Sequence, residues 1–174
     1  VRSATRAFAG VEHGTGTILT SLDQFCTTVR DARNATMVLV LLDPGTGSAR
    51  FARAGHPPPL VIRAGGAAAF LSDGGSPPLG WGFLTRPTEG TVQLGAGDVI
   101  VLYTDGLVER RGEPISDGLE RLRTTAEKLP SEPDLLCDRL LAALAPAEGP
   151  SDDIALLAVR WRGRTRSRRS SGVP

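Results

Sequence analysis

VIVLYTDGLVERRGEP, residues 99–114, runs apolar through Tyr103 and then presents Asp105, a glycine and a second acid, Glu109. A β-branched and leucine run of this length, stopped by a glycine turn, reads as a buried strand. A carboxylate at the end of such a strand is costly unless something compensates its charge. The same juxtaposition returns in reverse near the other end of the chain, where Asp152 and Asp153 precede IALLAVRW, residues 154–161. A divalent cation held by oxygen ligands would compensate these charges, and two such corners brought together would make half a metal site. Asp also caps turns and helix starts, and spacing alone leaves both roles open.

Working outward, GTVQL (90–94) leads through the turn GAGD into VIVLY, the pattern of a hairpin. Upstream, TMVLVLL (36–42) predicts a buried strand ending in the turn DPGTG, with SARFARA (48–54) as its hairpin partner. GHPPP breaks that ladder, PLVIR resumes as a strand, and AGGA turns into AAFL, while SDGGSPPLGWGF (72–83) is a loop by composition. Residues 17–30 carry Ile18, Leu19, Leu22, Phe25, Cys26 and Val29 on one helical stripe. Beyond ISDG the period becomes helical again. Leu119, Leu122, Ala126 and Leu129 form one face, and Leu136, Leu140, Leu141 and Leu144 form a second. PAEGPSDD then loops into the final strand. A helix in front, strands between and a late helix pair predict an α+β sandwich in one domain.

The 174 residues suffice for a sizeable core, and 40% hydrophobic with 22% charged residues is ordinary globular usage. The 21 glycines and 13 prolines imply many tight turns. A net charge of +1 gives the body no electrostatic case for nucleic acid. Five arginines lie between positions 162 and 169, in a run with serine and glycine that reads as a disordered basic tail over 162–174. No apolar run approaches the roughly 18 residues of a membrane span and no signal peptide is visible, so a cytoplasmic protein without a membrane partner is expected. Cys26 and Cys137 each sit in an apolar helical pattern, as buried reduced thiols do. The first residue is Val1, so a preceding segment is expected.

The order AGHPPPLVI, PPLG, LGAGDVIVLYTDGLVER and SDDIALLAVRW resembles the C-terminal portion of the stage II sporulation protein E family of serine/threonine phosphatases, relatives of RsbU within the metal-dependent type 2C superfamily. The resemblance covers about residues 17–161 and implies a type 2C phosphatase-like α-β-β-α sandwich lacking the N-terminal strands, with residues 1–161 as the phosphatase domain. It implies that Asp105 and Asp152 are ligands of a catalytic manganese or magnesium ion, two ions being expected in the complete domain. Asp153 is then a turn residue or one lying behind the ligands, Glu109 an acid able to reach water on the metal, and Gly106 the residue that lets the backbone turn beside the ions. His56, between Gly55 and three prolines, is read as fixing its loop by hydrogen bonds rather than as a general acid. Trp81 and Phe83 are read as covering the edge of the core. The family's first metal motif has no match here, and His13 in VEHGTGT lacks the strand ending in aspartate that should precede it. Function follows by the same resemblance: hydrolysis of a phosphorylated, STAS-type anti-sigma factor antagonist, controlling transcription by partner switching, with a sensor domain upstream. The alternative is a non-catalytic docking or regulatory module that has lost the first metal motif.

Overall fold

Helical stripes and period-two strands alternate along the chain, and the computed structural model shows them as α1 (Arg2–Ala9), α2 (Thr15–Thr28), β1 (Met37–Leu42), β2 (Ser48–Ala54), β3 (Leu60–Ile62), β4 (Ala68–Phe70), β5 (Gly75–Ser76), β6 (Gly90–Gln93), β7 (Val99–Tyr103), α3 (Ile115–Ala126), α4 (Pro133–Leu144) and β8 (Leu156–Arg160). The structure describes residues 1–11, 14–84, 86–145 and 152–164. His13 and residues 165–174 of the tail lie outside them. Among the described residues no helix is long and apolar enough to cross a membrane.

The strands form two sheets. In one, β1 pairs antiparallel with β2 as a hairpin, and β2 pairs in turn with β6 antiparallel and with the two residues of β5 in parallel. In the other, β4, β3, β7 and β8 are neighbours in that order, all antiparallel. Period-two alternation divides the strand residues between three apolar layers. Ala52 and Ala54 of β2 face Ile18, Leu19, Leu22 and Cys26 of α2. Ala49 and Phe51 of the same strand meet Val61 and Ile100 of the second sheet. Leu60, Ile62, Val99, Val101 and Tyr103 then face Leu122, Ala126, Leu136, Leu140 and Leu144 of α3 and α4. Helix, sheet, sheet and helices thus stack in four layers, the expected α-β-β-α sandwich.

The expected hairpin from GTVQL to VIVLY does not form. β6 lies in the first sheet and β7 in the second, so GAGD is a crossing between layers. The reason is burial: Val99, Ile100 and Val101 are all at most 3% exposed and need apolar matter on both faces, which only the central position between β3 and β8 supplies. Other expectations shift by smaller amounts. β1 is an edge strand, half-buried throughout rather than buried. The α2 helix stops at Thr28, leaving Val29 exposed, and Leu141 points away from the core. The third helix begins at Ile115, inside ISDG, with Gly118 on its buried side. The loop at 72–83 contains β5, and α1 is an added helix whose Ala4 and Phe8 pack beside α2. Both cysteines are free thiols, Cys26 fully buried and Cys137 half-buried.

Candidate functional site

The ladder between β7 and β8 ends at Tyr103 paired with Leu156, and Thr104 extends it by one residue. The Thr104 amide donates to the Ala155 carbonyl (3.0 Å), its hydroxyl donates to the Asp153 carbonyl (2.8 Å), and the same hydroxyl oxygen accepts from the Ala155 amide (2.8 Å). Residues 152–155 are thereby tied alongside residues 104–106. Gly106 shows how close they come: a Cβ there would stand 2.8 Å from the Asp152 carbonyl oxygen and 2.9 Å from that of Asp153. The turn needs glycine because there is no room for a side chain, which is a different reason from the flexibility expected of it.

Asp105 opens a single 3-10 turn, its carbonyl accepting from the amides of Val108 and Glu109. Its Oδ1 accepts from the Gly106 amide at 2.9 Å, and Asp152 Oδ1 accepts from the Asp153 amide at 2.7 Å. Among the described residues, neither carboxylate forms an ion pair and each keeps its second oxygen free of hydrogen bonds. Asp105 is half-buried, while Asp152, Asp153 and Glu109 are exposed. Carboxylates with a spare oxygen and no cationic partner suit a hard, oxygen-preferring cation such as manganese or magnesium. The acids nevertheless do not converge as a cage: among the described residues no group of three or more His, Cys, Asp or Glu side chains is placed to hold a metal.

His56 reaches the same corner from the first sheet. Its Nε2 lies 3.0 Å from the Tyr103 carbonyl and its Nδ1 lies 3.0 Å from Thr36 Oγ1, while the Tyr103 hydroxyl donates to the Pro58 carbonyl at 2.8 Å. A carbonyl can only accept, so Nε2 carries the proton and, in the neutral ring, Nδ1 accepts from Thr36. Burial lowers the pKa of the imidazole and Arg53 adds to that. The Tyr103 carbonyl and the charge of Asp105 oppose it, but the net direction is down. A neutral ring bonded at both nitrogens behaves as a clamp between the proline loop and the end of β7. Burial also pushes the Tyr103 hydroxyl far above its ordinary pKa, keeping it a donor.

The arrangement brings Gly106 against the backbone of Asp152 and Asp153, with Asp105 next to it, puts Glu109 one turn further along and fastens the strand before them with His56. Sequence reasoning missed Thr104 and Tyr103. The available signal was a hydroxyl at the strand end directly before the acid, where both backbone and side chain can continue a ladder.

Comparison with known proteins gives the context. A family model described as stage II sporulation protein E matches residues 1–162. The solved RsbU and RsbW domains of a Mycobacterium tuberculosis protein share 32% identity with a TM-score of 0.83, the match covering 94% of this chain and 47% of that one. The type 2C phosphatase domain of Bacillus subtilis SpoIIE, solved with a fragment of its regulatory domain, gives 18% identity and a TM-score of 0.73 over 94% of this chain and 50% of that one. A manganese-presoaked structure of the Bacillus subtilis phosphatase domain gives 19% identity and a TM-score of 0.66 over 99% and 76%. The chain spans about half the length of the first two of these structures. With a matched family model over nearly its whole length and an α-β-β-α fold shared with type 2C phosphatase domains, the chain belongs to the stage II sporulation protein E family.

Proposed function

We propose that this chain forms part of a metal-dependent protein serine/threonine phosphatase that acts on a phosphorylated, STAS-type anti-sigma factor antagonist and so regulates transcription by partner switching. The observation that supports the proposal is the close approach of the Gly106 backbone to the carbonyls of Asp152 and Asp153, which sets the backbones of two strand-end acids side by side within a family of phosphatases. The similar Mycobacterium tuberculosis structure, in which RsbU and RsbW domains occur together, supports a partner of the partner-switching kind.

In this reading Asp105 and Asp152 hold manganese or magnesium, two ions serving the complete enzyme. Bound ions supply Lewis acidity, activating water and neutralising charge on the phosphoryl oxygens. The protein's own residues prepare that site. Gly106 admits the 152–153 backbone, Asp153 shapes the turn, and Glu109 is an exposed acid on the same turn able to accept a proton. Thr104 sets the register of the two acids, and His56 fixes the strand end. Residues 1–161 are the phosphatase domain and 162–174 a basic tail, in a cytoplasmic protein with a sensor domain upstream.

The second reading, a docking or regulatory module without catalysis, is favoured by the lack of any group of three potential metal-binding side chains among the described residues. Asp105→Asn in the intact protein separates the two. Asn keeps the size and one carbonyl oxygen but not the charge. Calorimetric manganese affinity is expected to fall by more than the roughly 10–100-fold typical of losing an outer partner of a metal ligand. Hydrolysis of the serine-phosphorylated antagonist should be lost while the metal-free thermal midpoint stays unchanged. Retained turnover overturns the catalytic role of Asp105, and absence of manganese-dependent turnover in the parent protein selects the docking reading.

A further inference from the structure

Trp81 is 65% exposed and Leu84 fully so, although both lie in a loop whose backbone is held by a buried acid. Asp23, only 3% exposed on α2, accepts from the amides of Gly80 (2.7 Å) and Phe83 (2.8 Å), with a longer contact to Gly82 (3.4 Å). The Trp81 indole N–H donates to Asn34 Oδ1 at 2.7 Å, and Asn34 itself stands in the left-handed region with φ 64°. An aromatic that merely covered the core edge would be buried, as Phe83 partly is against the α2 cluster. Trp81 instead is fixed in orientation and turned to solvent. Exposed aromatic and aliphatic side chains on a backbone set in advance are the ordering pattern of a binding hot spot, since little entropy remains to be lost on contact.

These residues rim a groove of about 420 Å³, lined also by Ser76, Pro77 and Arg86. Among the described residues, Arg86 is the only charged one that lines it, and it has no hydrogen bond or ion pair. The apolar rim with a free guanidinium complements a protein surface that pairs an apolar side chain with an acidic one. The groove is also linked to the candidate site. The Gly55 amide donates to the Ser76 carbonyl (2.8 Å), and the next residue, His56, binds the Tyr103 carbonyl. Arg53 spans the same junction, donating to the carbonyls of His56 and Ser72.

We infer that the groove at Trp81, Leu84 and Arg86 is the docking surface for the phosphoprotein substrate, holding it apart from the reacting phosphoryl group. The inference rests on the proposed phosphatase reading for the identity of the occupant. The intact protein is assayed with serine-phosphorylated STAS-type antagonist, by calorimetry and by turnover, and in parallel with p-nitrophenyl phosphate, too small to use a remote groove. Trp81→Ala should weaken antagonist binding and raise its KM by about 30-fold, the effect of a typical hot spot. Arg86→Glu should also weaken binding, by a similar factor for the phosphorylated and the unphosphorylated antagonist, because the phosphoryl group lies outside the groove. Hydrolysis of p-nitrophenyl phosphate and the thermal midpoint should not change. Leu84→Asp serves as the second apolar variant, since a fully exposed side chain cannot be needed for folding. Antagonist binding that is unchanged in all three variants, or absent in the parent protein, overturns the docking surface. A parent that binds through Trp81 but hydrolyses neither substrate keeps the groove and removes the phosphatase reading.

Discussion

Asp98 is a buried carboxylate whose compensation comes from the protein itself, and it makes the contrast with Asp105 clear. Burial alone would raise its pKa, but the Arg63 guanidinium at 2.8 Å and the amides of Gly95 and Ala64, each at 2.9 Å, outweigh burial and hold it below the usual carboxylate range. A depressed folded pKa stabilises the protein above the unfolded value of about 3.9, and that stability is lost as pH falls through the lower folded pKa. Asp98→Asn should therefore cost about 1–3 kcal/mol at neutral pH, the range for a hydrogen-bonded charged group, with Arg63 half-exposed and screened toward the lower end. Denaturant titrations at pH 7 and pH 3 check this: the difference between parent and variant should shrink at pH 3, and an equal gap at both values would contradict the assignment. Asp105 has no such cationic partner among the described residues, so its replacement should be nearly silent for stability.

At the level of elements, α3 presses on the segment that leaves the site. A Cβ at Gly118 would lie 1.8 Å from the Val108 carbonyl oxygen, so helix and loop touch backbone to backbone. Gly118→Ala tests which effect wins. Helix propensity favours alanine by about 1 kcal/mol. Overpacking against a fixed backbone costs typically 1–3 kcal/mol or more, and a contact this short lies at the severe end. Net destabilisation is expected, with weaker manganese binding because Val108 is bonded to the Asp105 carbonyl; a raised thermal midpoint would show that α3 can move away. The sequence made β1, β2, β3, β7, β8 and the late helices legible because each declares itself by local period. It misassigned the pairing of β6 and β7, since GAGD has turn composition whichever sheet receives the next strand, and only packing of Ile100 on Phe51 across the layers decides. α1 was illegible because it is only eight residues long and buries none of them. Of the site, both acids could be found from their strand-end positions, but the bonding that ties residues 152–155 alongside 104–106 could not. It depends on Thr104 bonding to residues about fifty positions away.

For the molecule as a whole, a ligand that binds only the folded form stabilises it by mass action, about 2.7 kcal/mol at a hundred times its Kd. Manganese at such excess should raise the thermal midpoint of the intact protein, and Asp152→Asn should remove most of that rise while leaving the metal-free midpoint in place. A rise that persists in the variant would mean that the ion sits elsewhere. Thr104 and Asp153 are 49 positions apart, with α3 and α4 made between them. During synthesis the first acid therefore leaves the ribosome well before the second, and until β8 has zipped onto β7 the nascent chain offers only isolated carboxylates, which hold a divalent ion poorly. Bringing residues 104–106 and 152–155 side by side therefore belongs to the closing step of folding, and a chain stalled before that step still carries the two halves of this corner apart.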